Sequence, residues 1–158
     1  MRSEGPKLGK PSTAEEIAAW DMNVFPDGRG LPPGRGNAAE GKTLYDSQCA
    51  SCHGPKGTGG SGGELAGGQR GLTEPHPDKT IGTYWPYATT IFDFVRRSMP
   101  IDAPGSLSDD QVYAVTAYLL YLNGIIGEQA EINATTLPQV KMPNREGFVW
   151  IDVPQNRN

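Results

Sequence analysis

A chain of 158 residues with a net charge of −4 and a sequence pI near 5.1 has the size of one domain, or of one domain with long arms. With no basic run it lacks the electrostatic footprint of a nucleic-acid binder, and no stretch approaches the roughly eighteen apolar residues of a membrane span. Hydrophobic residues make up 36% of it beside 21 glycines and 14 prolines, so much of the chain is expected as irregular loop, with few apolar side chains for a self-sufficient core.

Residues 1 to 36 read as an arm. The opening Met1-Arg2-Ser3-Glu4-Gly5-Pro6 has no apolar core, so no signal peptide is read there. Ser12-Thr13-Ala14-Glu15 has the form of a capping box and predicts a short helix to about Trp20. The run Phe25-Pro26-Asp27-Gly28-Arg29-Gly30-Leu31-Pro32-Pro33-Gly34 suits neither helix nor strand. Trp20, Phe25 and Leu31 are costly to leave in water, so the arm is expected to pack on the domain.

The first core helix is predicted from Asn37, where Asn37-Ala38-Ala39-Glu40 supplies an N-cap and a glutamate three residues on. It runs through Gly41, Leu44 and Tyr45 and delivers Cys49 at its end. Gly41 and Tyr45 share one face. A glycine in mid-helix costs about 1 kcal/mol relative to alanine, which is best explained by a second helix crossing closely at that point.

Cys49-Ala50-Ser51-Cys52-His53 follows, and it holds both cysteines of the chain. C-x-x-C-H is the attachment sequence of a c-type haem. Thiols at this spacing can add to the vinyl groups on one edge of a porphyrin, and the histidine is placed to bind the iron beneath. A thioredoxin-like pair would leave the histidine idle and lacks a βαβ setting. A structural zinc site needs four ligands, and the only other histidine is His76. One covalent haem c is therefore expected, its flat apolar surface completing the core. Thioether attachment usually takes place outside the cytoplasm, so a periplasmic protein whose leader has been removed is inferred.

The glycine-rich stretch 54 to 71 lacks the Gly-Lys-Ser/Thr of a phosphate loop; its backbone is expected to pass close to a flat ligand. Beyond Tyr84 and Trp85 a helix is predicted over about Tyr87 to Arg97, carrying Ile91, Phe94 and Val95. Met99-Pro100 comes next, and its soft thioether is the favoured second ligand to iron, opposite His53, because Met/His ligation is a cytochrome c pattern that raises the reduction potential. Met142 in the tail and His76 in a polar loop are the rivals, and an open site is the remaining option. A third helix opens at the capping box Ser108-Asp109-Asp110-Gln111 and stops at Gly124, with Val112, Val115, Leu119 and Leu122 at helical spacing. The tail 124 to 158, punctuated by Pro138, Pro143 and Pro154, should wander over the surface, pinned by Val149, Trp150 and Ile151. Trp85, Tyr84 and Arg70 are candidate partners of the haem propionates; for both aromatics plain packing is the alternative.

The capped helix with Gly41 and Tyr45, the C-x-x-C-H, the interior Met-Pro and the helix with Tyr118-Leu119 together resemble a class I cytochrome c over residues 37 to 123. The resemblance implies an all-α fold of three to five helices around one haem, with long irregular extensions at both ends and with Gly41 and Tyr45 packed near Tyr118. Gly82-Thr83-Tyr84-Trp85-Pro86-Tyr87-Ala88-Thr89-Thr90, Arg96-Arg97-Ser98-Met99-Pro100, and Ser106 through Leu120 are similar to the SoxD-like cytochrome subunits. So are Asp27-Gly28-Arg29-Gly30-Leu31-Pro32 and Met142-Pro143-Asn144-Arg145. That family implies Met99 as sixth ligand and a carrier of single electrons from a molybdenum sulfite or sulfane dehydrogenase to a downstream cytochrome or oxidase, not itself an enzyme. A gas-binding or sensing protein with an open site is the alternative; a peroxidase would need distal acid-base residues the chain scarcely supplies. One departure stands out. Many class I cytochromes carry, some ten residues past the histidine, a proline whose carbonyl orients the imidazole, and here Gly59 to Gly68 contains none.

Overall fold

Side-chain caps open three of the helices in the computed structural model, which describes residues 9–149. Helix α1 (Ala14–Trp20) is capped by Thr13, one residue beyond the expected Ser12; its hydroxyl accepts from the Glu16 N–H while the Glu16 carboxylate accepts from the Thr13 N–H. The same reciprocal pair forms at Asn37 and Glu40 to open α2 (Ala38–Gln48), and at Ser108 and Gln111 to open α6 (Asp109–Leu122), where the sequence predicts them. Between these lie α3 (Ala50–His53), α4 (Ile81–Tyr84) and α5 (Ala88–Ser98). Gly124, at φ 68°, ends α6: its N–H donates to the Tyr121 carbonyl at 2.8 Å and the Ile125 N–H reaches Leu120 at 3.0 Å, the paired bonds of a Schellman turn.

Helix α2 lies against α6, and glycine sets how closely. A Cβ on Gly41 would stand 2.5 Å from the carbonyl carbon of Ala114 and 2.9 Å from the Tyr118 Cβ, far inside contact distance. Beside it the Tyr45 and Tyr118 rings meet at 5.1 Å, as the resemblance implied. Gly36 makes a second close approach, 2.6 Å from a built Cβ to the Ala114 Cα. Phe92 and Tyr113, with ring centroids 4.5 Å apart, join α5 to α6. Among the described residues the only strands are β1 (Arg35–Gly36) and β2 (Ile132–Asn133), paired antiparallel with Arg35 opposite Asn133. The other regular elements are helices, joined by long irregular loops.

The arm meets expectation in part, and the tail departs from it. From Val24 onward the arm is fastened to the helices. The Val24 N–H donates to Asp93 Oδ1 at 3.0 Å, Arg97 holds the same carboxylate at 2.8 Å and reaches Asn23 Oδ1 at 3.2 Å, and the Tyr113 hydroxyl donates to the Pro32 carbonyl at 2.8 Å. Leu31 is half-buried against the core. Trp20 and Phe25, by contrast, are 85% and 44% exposed; α1 presents its tryptophan to solvent, and Phe25 carries the Arg29 guanidinium 4.5 Å above its ring. The tail runs deeper than predicted, since Ile132, Leu137 and Met142 are buried in the core. Asn144 Nδ2 donates to the Tyr84 carbonyl at 2.7 Å, and the Arg145 guanidinium lies 4.3 Å over the Tyr87 ring. Val149 is 86% exposed and pins nothing; Trp150 and Ile151 lie outside the described residues.

Asp93→Ala should loosen the arm, because one half-buried carboxylate serves both the Val24 N–H and Arg97. A loss of about 1–2 kcal/mol is expected, read as a lower urea midpoint together with faster proteolytic cutting near residues 21–24.

A candidate haem site

The end of α2, the one-turn α3, the loop after it and the inner faces of α5 and α6 enclose a cavity of about 510 Å³, within the roughly 300–1,000 Å³ of sites that hold a small molecule or cofactor. Cys49, Cys52 and His53 line it, and so do Met99 and Pro100 just past α5. Its remaining wall is largely apolar: Leu65 from the loop, Ile81 and Trp85 around α4, Ile91 and Val95 from α5, Val115 and Leu119 from α6.

His53 is held by its backbone surroundings. Its Nδ1 lies 2.7 Å from the carbonyl oxygen of Gly63, ten residues on. A carbonyl only accepts, so Nδ1 carries the proton and the Nε2 lone pair is left for a metal. The orienting carbonyl is therefore present without a proline. Glycines make this possible by letting the loop fold back on the C-x-x-C-H turn. The Gly62 N–H donates to the Cys52 carbonyl at 2.6 Å. A Cβ on Gly60 would lie 2.6 Å from the carbonyl carbon of Cys52, and one on Gly62 would lie 3.0 Å from the His53 ring. The glycine-rich stretch thus presses on the chain's own backbone and imidazole, besides contributing Gly62 and Gly63 to the cavity lining. At the other end of the turn, the buried Tyr45 hydroxyl donates to the Gly54 carbonyl at 2.8 Å, and burial pushes this phenol up to about 12. Burial likewise raises the Cys49 thiol, whereas Cys52 is exposed.

The predicted site residues divide clearly. Cys49, Cys52, His53, Met99 and Trp85 come together around the cavity. Met142 does not line it; the side chain is 3% exposed and packed in the hydrophobic core. His76 is exposed in its loop at φ 56° and is not among the lining residues. Neither are Tyr84 and Arg70. Tyr84 packs edge-on against Phe148 with centroids 5.5 Å apart. Arg70 grips Asp78 at 2.6 Å, and that guanidinium, with the N–H groups of Gln69 and Arg70, holds the Asp78 carboxyl well below the usual carboxylate range. The donor set fits a covalently attached haem: two thiols at the attachment spacing, an imidazole with its spare nitrogen already satisfied, a thioether, and apolar walls. Sequence reasoning missed Gly63, since any residue type carries the same carbonyl.

A family model described as Cytochrome c matches residues 38–123. A chain in the crystal structure of the sulfane dehydrogenase SoxCD from Paracoccus pantotrophus is similar at 47% identity and a TM-score of 0.85, over 96% of this chain and 75% of that one. The thiosulfate dehydrogenase of Stutzerimonas stutzeri is 36% identical over 92 residues, which are 56% of this chain. The chain spans only about 28% of the length of that relative.

Proposed function

Since the chain belongs to the cytochrome c family, whose members bind haem c covalently, we propose that it carries single electrons from a molybdenum sulfite or sulfane dehydrogenase subunit to a downstream cytochrome or oxidase. The observation that carries this reading is the shared cavity of Cys49, Cys52, His53 and Met99, with the Nδ1 of His53 already engaged by Gly63. Cys49 and Cys52 would hold the haem through thioethers, and His53 Nε2 and Met99 Sδ would bind its iron. When bound, the haem supplies one-electron reduction and oxidation at a potential raised by the thioether. The protein's part is to fix both ligands, to exclude water with Leu65, Ile91, Val95 and Leu119, and to offer the Trp85 indole N–H to a propionate.

Residues 37 to 123 form the carrier domain in this reading, with 1 to 36 and 124 to 158 as extensions. The likeness to a chain of SoxCD, and to a thiosulfate dehydrogenase, supports a donor that oxidises reduced sulfur. Thioether attachment favours the periplasm, and no described helix is long and apolar enough to cross a membrane.

A spectrum tests the ligands. The ferric protein should show a sulfur-to-iron charge-transfer band that vanishes in Met99→Ala and survives in Met142→Ala, while Met142→Ala loses about 2–5 kcal/mol of stability as a core truncation. Bands that vanish in Met142→Ala alone would reverse the assignment. Stopped-flow reduction by a molybdenum subunit supplied with sulfite tests the donor.

A further inference from the structure

Asn123, at the end of α6, ties three pieces of the cavity wall together. Its Nδ2 donates to the Leu65 carbonyl at 3.0 Å and to the Leu119 carbonyl at 2.8 Å, while its Oδ1 accepts from the Gly82 N–H at 3.1 Å. Leu65 and Leu119 line the cavity, as does Ile81 beside Gly82. The Leu65 N–H returns to the Gly57 carbonyl at 2.8 Å, so the loop 57–65 closes at its base and is fastened to α6 there. Gly63, whose carbonyl receives the His53 Nδ1–H, lies two residues before that fastening. Two backbone bonds also hold this segment, from the Ile81 N–H to the Leu65 carbonyl at 3.2 Å and from the Gly62 N–H to the Cys52 carbonyl at 2.6 Å. Among the side chains of the described residues only His53 and Asn123 donate to the backbone of residues 61–66.

We propose that Asn123 is a positioning residue for His53: by pinning Leu65 to the end of α6 it fixes the Gly63 carbonyl, and with it the strength of the hydrogen bond to the imidazole. The inference rests on His53 being an iron ligand. A firm acceptor on Nδ1–H makes the imidazole a more basic ligand and so favours the ferric state. A slack loop weakens that bond, and the reduction potential rises.

The test uses the haem-loaded full chain in the ferrous state. In Asn123→Ala the His53 Nδ1–H should exchange with solvent about tenfold faster by NMR, and the equilibrium with a redox dye should move toward the reduced protein. Asn123→Asp keeps an acceptor for Gly82 but loses both donors, so it should speed the exchange in the same way; it carries the test should Asn123→Ala fail to mature. A lowered melting temperature with unchanged proton exchange and unchanged potential would overturn the proposal and leave Asn123 a structural cap. Wild-type exchange in Asn123→Asp would overturn it too. A parent protein in which His53 is not bound to iron would overturn this inference together with the site assignment, whereas unchanged exchange with His53 bound would overturn this one alone.

Discussion

Gly41→Ala is expected to destabilise the protein by about 3 kcal/mol, near the upper end of overpacking costs, even though alanine is the better helix former by about 1 kcal/mol. The sign follows from what the new methyl would meet. Its nearest neighbours are backbone atoms of Ala114, with the carbonyl carbon 2.5 Å away, and backbone cannot rotate aside as a side chain can. Helix α2 would have to slide off α6, parting the Tyr45 and Tyr118 rings and shifting Cys49 at its end. The yield of haem-bearing protein should fall along with the urea midpoint. Gly127 is the control: it has open space around the missing Cβ and an ordinary φ, so Gly127→Ala should stay within about 0.5 kcal/mol. An unmoved midpoint in Gly41→Ala would mean that the helices do not meet there.

Stability should also fall steeply with alkali. Burial pushes both Tyr45 and Tyr113 up to about 12 from an ordinary value of 10, because a phenolate in either place would lose its water. The folded protein therefore holds on to these protons while the unfolded chain releases them. Each phenol's contribution is fully present below pH 10 and is lost as pH rises through 10 to 12, roughly 2–3 kcal/mol apiece. Urea titrations of the haem-loaded protein between pH 9 and 12 should show this decline, and Tyr45→Phe or Tyr113→Phe should flatten it by about half. Each phenylalanine variant would be less stable at pH 8, since the carbonyl of Gly54 or Pro32 loses its donor. A wild-type curve level across that range would refute the burial account.

What could be foreseen from residue types was whatever a side chain writes into local spacing. Asn37 with Glu40, and Ser108 with Gln111, announce their helices because both partners of a capping box sit three residues apart. Gly41 announces a crossing because a glycine there is otherwise a loss. Met99 and the C-x-x-C-H carry chemistry in their side chains. The orienting acceptor of His53 left no such trace, as it belongs to a backbone that every residue possesses, and only the ten-residue spacing to Gly63 echoes the family pattern. Arg70 looked free to meet an anion because Asp78, its partner eight residues away across a loop, has no periodic relation to it. Trp20 was expected inside on hydrophobicity alone, although a seven-residue helix ahead of the anchoring bonds at Val24 need not follow them onto the domain. The tail was read as superficial from its prolines, yet Leu137 and Met142 lie within the core, long-range packing that no local pattern encodes.

The bond from His53 to the Gly63 carbonyl has a consequence for how such a site can drift over generations. No single substitution deletes a main-chain oxygen, so point changes in that stretch reach the electronic tuning of the imidazole chiefly at the glycines that let the loop fold back, such as Gly60 and Gly62. Insertions and deletions are another matter: one residue more or fewer between the histidine and Gly63 would carry the oxygen out of reach. Selection on this segment should therefore act on its length and on those glycines more strictly than on the rest of its spelling.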